Sequence, residues 1–160
     1  MATIVLLSCT KSKTPYEAPA QELYSASPMF QKTLEYGKTL KPDKMYILSA
    51  KHYLVNLNQK LKPYDLTLKD FNKEEKEKWG EEVYKEMKSR GLNFDKDKFI
   101  FLAGNEYIKP LTKYLPEKNI ETPMGRRRFG ERLKWLNQQL DKLQEVFKRI
   151  KQYIYENLKR

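Results

Sequence analysis

Residues 3–7, 44–48 and 98–102 are short, almost wholly apolar runs, the pattern of strands buried on both faces of a sheet. Between them the apolar positions change to helical spacing. Ser27 is placed to cap a helix from Pro28 to about residue 40, with Phe30, Leu34 and Leu40 turned inward. Asn72 is placed to cap a second helix over residues 73–90, closed by Gly91, with Trp79, Val83 and Met87 at spacing four on an otherwise charged rod. A third helix is expected over 105–114, begun by Asn105, and a fourth strand over 119–122. Strands alternating with helices predict an α/β fold, a three-layer sandwich around a central parallel sheet of about four strands.

The pattern changes again after residue 128. Leu133, Leu136, Leu140, Leu143, Phe147, Ile150 and Ile154 follow one another at steps of three and four, a seam repeating every seven residues. A helix over 129–158 would be about 45 Å long. The chain therefore divides into an α/β catalytic domain, 1–128, and a long basic C-terminal helix, 129–160. The helix either packs on the same domain or projects from it as the seam of a homodimer.

A chain of 160 residues is the size of one ordinary domain. The run after Ile4 is too short for a signal or membrane segment, so no membrane partner is expected and a cytoplasmic setting is. One cysteine, Cys9, and one histidine, His52, cannot make an internal disulfide or the usual zinc cluster, and neither metal nor cofactor is expected. The net charge of +11 is uneven. Residues 1–72 hold 10 Lys/Arg against 6 Asp/Glu, residues 73–125 hold 11 against 11, and residues 126–160 hold 11 against 4. A basic excess gathered at one end is the footprint of a phosphate-backbone binder.

In open α/β sheets ligands bind beyond the carboxyl ends of the strands, so the residues after each apolar run are the candidates for chemistry. After the first strand come Ser8, Cys9, Lys11, Lys13 and Tyr16, a set of hydroxyl, thiol and ammonium groups suited to an anion or a base. After the second come Lys51 and His52, able to pair with phosphate and to titrate near neutrality. The segment Pro63-Tyr64-Asp65 sets an aromatic ring beside a carboxylate that could act as a general base. After the third come Gly104, Asn105, Glu106 and Tyr107, where a helix start favours anions. Gly125, Arg126, Arg127 and Arg128, with Arg132 one turn further on, offer guanidinium forks to phosphates.

Several of these groups recur in one motif set: Ser8-Cys9-x3-Lys13, Leu23-Tyr24, Ser49-Ala50-Lys51-His52, Pro63-Tyr64-Asp65-Leu66, Leu102-Ala103-Gly104-x2-Tyr107 and Gly125-x4-Gly130-Glu131. The set resembles a little-characterised family of small bacterial and phage α/β domains over about residues 3–140. More distantly, Cys9-x3-Lys13 with Pro15-Tyr16 is similar to a segment of archaeosine synthase, although Thr14 here separates the lysine from the proline. The synthase domain in turn resembles the uracil-DNA glycosylase superfamily, whose members act on flipped bases, and antiviral glycosylases for modified phage bases look like relatives.

The resemblance implies a DNA-acting N-glycosylase that flips out and excises a modified nucleobase. In that reading Tyr16, Tyr64 or Tyr107 stacks on the base, with Ser8, Lys13 and Asn105 at its edge and Cys9, Lys11, Tyr24 and Lys51 completing the pocket. Asp65 positions the hydrolytic water, with Glu106 and Glu22 as alternatives and His52 nearby, while Lys13 or Lys51 as nucleophile would form a Schiff base instead. Two other readings stay open, a transferase or hydrolase of a free nucleotide and a noncatalytic nucleic-acid-binding module.

Overall fold

A computed structural model describes residues 1–159. In chain order its strands and helices are β1 (Thr3–Ser8), β2 (Ala18–Pro19), α1 (Ala20–Leu23), α2 (Pro28–Thr39), β3 (Lys44–Ser49), β4 (Tyr53–Asn56), β5 (Lys60–Leu61), α3 (Lys73–Ser89), β6 (Lys98–Leu102), α4 (Asn105–Ile108), β7 (Ile120–Glu121) and α5 (Phe129–Leu158). The main sheet runs β4-β3-β1-β6-β7, and β2 pairs with β5 in a small antiparallel ribbon. β1 is central and parallel to both β3 and β6, and β7 continues the parallel order.

Burial of Ile4–Leu7, Ile47, Leu48 and Phe99–Leu102 on a sheet covered from both sides explains why these strands lack alternation. Gly37 of α2 faces Val5, Met45 and Leu102 so closely that a Cβ there would lie 3.0 Å from the Met45 methyl. Arg90, at the end of α3, lies over the Tyr46 ring. Met45 and Tyr46 are successive residues of β3 and point to opposite faces, so α2 and α3 cover opposite faces and the domain is a three-layer α/β sandwich.

Local chemistry places the helix ends. Ser27 caps α2 by accepting from the Phe30 amide, with Pro28 at the first helical position. Asn72 and Glu75 form a reciprocal capping box on α3, and Gly91 follows its end at φ +77°.

The four expected parallel strands are present, and a fifth, the antiparallel edge strand β4, joins them because a tight hairpin after β3 returns the chain beside it. Three expectations are corrected. The buried face of α2 is Met29, Phe30, Thr33 and Gly37, with Leu34 and Leu40 only half-buried. The helix expected over 105–114 is one α-turn followed by a 3-10 segment, Lys109–Tyr114, because Pro110 supplies no amide for the α-helical ladder. Asn105 is its first helical residue and caps nothing; Gly104 holds the cap position.

Contacts divide the chain into two compact units, Met1–Arg126 and the segment from Arg127 onward. The second is α5, whose Leu136 and Leu140 are buried while Phe147, Ile150, Tyr153, Ile154 and Leu158 stay exposed. Among the described residues no helix is long and apolar enough to cross a membrane.

Candidate functional site

The carboxyl ends of β1 and β3 are tied side by side, with the Cys9 amide donating to the Leu48 carbonyl at 2.9 Å. β3 then turns into β4 through Ala50-Lys51-His52, and Tyr53 takes φ +63°, the left-handed residue that closes a three-residue hairpin loop. Ser49 holds this turn. Its Oγ accepts from the His52 amide at 3.0 Å and the Lys51 amide at 3.3 Å, and its carbonyl accepts from Trp79 Nε1 at 2.8 Å. Ser49 is thus the joint between the sheet, the lysine–histidine tip and α3.

From Ser49 a chain of hydroxyls runs inward. Ser49 Oγ and the Tyr64 hydroxyl are 2.7 Å apart, and the Tyr64 and Tyr24 hydroxyls are 2.6 Å apart. Lys13 Nζ sits 4.3 Å from the Tyr64 ring centre and donates to the Lys11 carbonyl at 3.2 Å. Lys51 Nζ lies 5.7 Å from the same ring, and the His52 ring meets it edge-on. Tyr64 is therefore bordered by two ammonium groups and an imidazole. On the other side of β1, Cys9 Sγ and the Tyr107 hydroxyl are 3.2 Å apart, a contact across the switch point between β1 and β6.

Burial sets the protonation of these groups. It pushes the Tyr24 phenol up to about 12, with nearby Cys9 adding to the shift, and it also raises Tyr64 and Tyr107. All three phenols keep their protons at neutral pH. Burial lowers the Lys13 ammonium from its usual value, with Cys9 and Asp65 opposing the shift. His52 is lowered by burial and then by Lys51, so its imidazole is neutral at pH 7. The arrangement can stack on a flat ligand, donate to its edge and supply an acidified ammonium within electrostatic reach of the exposed Asp65 carboxylate.

The motif residues of this cluster and its scaffold all fall within residues 4–138, which match one family model. The chain belongs to DUF6884, a family of unknown function. No curated protein and no solved structure matches it.

For this DUF6884 chain the structure brings together Cys9, Lys13, Tyr24, Lys51, His52, Tyr64, Asp65 and Tyr107, drawn from five separate stretches of sequence. Tyr107 is no stacking platform, since it is buried with its ring against the Trp79 edge. Tyr24 is likewise buried and offers only its hydroxyl to the network. Tyr16 is exposed and donates to Glu22, itself on the surface. Ser8 is half-buried and Lys11 is exposed. Asn105 and Glu106 line a different cleft with Lys73, Lys76 and Lys109. Gly125, Arg126, Arg127 and Arg128 are exposed, and the Arg127 guanidinium lies 5.6 Å from the Trp135 ring. Arg132 is half-buried. Ser49 and Trp79 are the positions that sequence reasoning missed as site residues. Ser49 stood inside the Ser-Ala-Lys-His motif, whereas Trp79 was legible only as part of a core stripe.

Proposed function

We propose that this chain is a DNA N-glycosylase that excises a modified base. The observation that carries the reading is Lys13, half-buried over the ring of Tyr64 beyond the carboxyl end of β1, with Asp65, the residue after Tyr64, within its electrostatic reach. Cleaving an N-glycosidic bond needs a group that handles charge on the departing base and one that prepares water for C1′. Lys13, made more acidic by burial, gives a proton to the base nitrogen as the C1′–N bond breaks. Asp65 takes a proton from the water whose oxygen bonds to C1′. The products are the free base and an abasic sugar. The Tyr64 face and the neutral His52 flank the base, which must leave the duplex stack to reach them. The motif resemblance to base-acting enzymes supports the same reading.

The test offers purified protein modified and unmodified phage DNA and measures free base and alkali-sensitive abasic sites. Release from a modified DNA is expected, with Asp65→Asn slowing it by roughly 10²–10⁴-fold. No release from any DNA removes the proposal. Borohydride trapping separates the mechanisms, because a covalent adduct that disappears in Lys13→Met would replace the hydrolytic route with a lysine imine.

A further inference from the structure

We infer that the cleft between the start of α3 and the 3-10 segment Lys109–Tyr114 is a binding groove for the phosphate backbone of DNA, distinct from the arginine run after Gly125. The cleft has a volume of about 490 Å³ and is lined by Lys73, Lys76, Lys109 and Lys113, with Glu77, Glu106, Asn105 and Pro110 completing it. Four ammonium groups against two carboxylates leave it cationic.

Three observations separate these lysines from an ordinary solvated surface. The first is convergence. Lys73 and Lys76 from the start of α3 and Lys109 and Lys113 from the 3-10 segment meet around one cleft, although they lie more than thirty residues apart in sequence. The second is position. Lys73 and Lys76 occupy the first turns of α3, where the helix dipole disfavours cations, so their placement works against the stability of the helix. The third is construction. A Cβ on Gly80 would lie 2.6 Å from the Pro110 carbonyl oxygen, so only glycine lets α3 and the 3-10 segment approach closely enough to form the two walls.

The groove also lies close to the candidate chemistry. Asn105 and Glu106, on its wall, immediately precede Tyr107, whose hydroxyl meets Cys9 at the carboxyl end of β1. The groove thus holds the DNA backbone as the proposed glycosylase requires, and it rests on that reading for its partner.

The test measures binding of a short labelled unmodified duplex by the full chain over a range of salt concentrations, with no base release required. Replacing Lys73, Lys76, Lys109 and Lys113 by Ala should weaken binding at least tenfold near 0.1 M salt and flatten the log–log salt slope by about 0.9 for each phosphate that is no longer neutralised. The double variant Lys78→Ala/Lys85→Ala should change neither quantity by more than about twofold. Circular dichroism melts confirm that both variants are folded. An unchanged slope in the cleft variant overturns the groove, even for a protein that releases base. A slope that flattens in a protein releasing base from no DNA keeps the groove and removes the glycosylase. Binding of a nucleoside triphosphate more tightly than the duplex, abolished in the cleft variant, overturns the backbone assignment in favour of a free nucleotide.

Discussion

Ser49 carries more of the site's geometry than any residue that would touch a substrate. Its hydroxyl accepts from two amides of the hairpin loop and meets Tyr64, so Ser49→Ala takes this partner from two part-buried amides and leaves the Tyr64 hydroxyl with Tyr24 alone. A loss of roughly 1–3 kcal/mol in denaturant unfolding is expected, together with slower base release. Ser49→Thr should restore much of both, and equal stability of Ser49→Ala and the parent would show the network to be dispensable. His52 gives a cleaner reading because it is the one histidine in the chain. Burial and Lys51 lower its pKa from the ordinary 6.5, so below that value the unfolded chain binds more protons than the folded one. Stability contributed by His52 is therefore complete above about pH 6.5 and declines as pH falls toward the folded pKa. An NMR titration of the imidazole should show a midpoint below 6.5 that moves upward in Lys51→Met. A midpoint unchanged by that substitution would mean that Lys51 does not act on the ring.

At the scale of elements, the close approach of α3 to Pro110 holds the lysine cleft together. Gly80→Ala ought to stabilise an exposed helix, yet here the added methyl meets backbone. A loss of about 1–3 kcal/mol is expected from the overpacking, and a stability gain in urea unfolding would show that the two segments can separate freely. Elements with a local signature were legible. Ser27-Pro28 and Asn72 announced their helices, and unbroken apolar runs announced the three central strands. The hairpin from β3 to β4 was not legible. It uses Tyr53 at positive φ instead of an Asn-Gly or Asp-Gly pair, and the cost of that backbone is borne by the Ser49 hydrogen bonds and the ladder beside them. The two-residue strands β2 and β5 were missed because so short a pairing leaves no period to read.

At the scale of the whole molecule, the distal part of α5 makes a prediction of its own. Phe147, Ile150, Tyr153, Ile154 and Leu158 are exposed, so removing residues from 145 onward takes away no buried side chain among the described residues. The thermal midpoint of the remainder should stay within about 2 °C, whereas a fall of more than about 5 °C would show that this stretch is needed for folding. If the seam joins two copies, the same truncation abolishes a concentration-dependent dimer in sedimentation. Charge shows what a linear reading averages away. Residues 73–125 carry equal numbers of acidic and basic groups, yet folding sorts the paired lysines of α3 from the four that face the cleft.

By itself the sequence determined the α/β class, the order of the central strands and main helices along the chain, and the strand-end location of the polar motifs, because capping chemistry and apolar periodicity act over a few residues. Only the tertiary structure decided that Cys9 meets Tyr107 at a separation of 98 residues, and that Lys13 and Lys51 border one tyrosine. It also decided that Asn105 and Glu106 belong to another cleft. Such contacts depend on which strands become neighbours and on which face each helix covers, and both follow from packing residues 1–126 around one core.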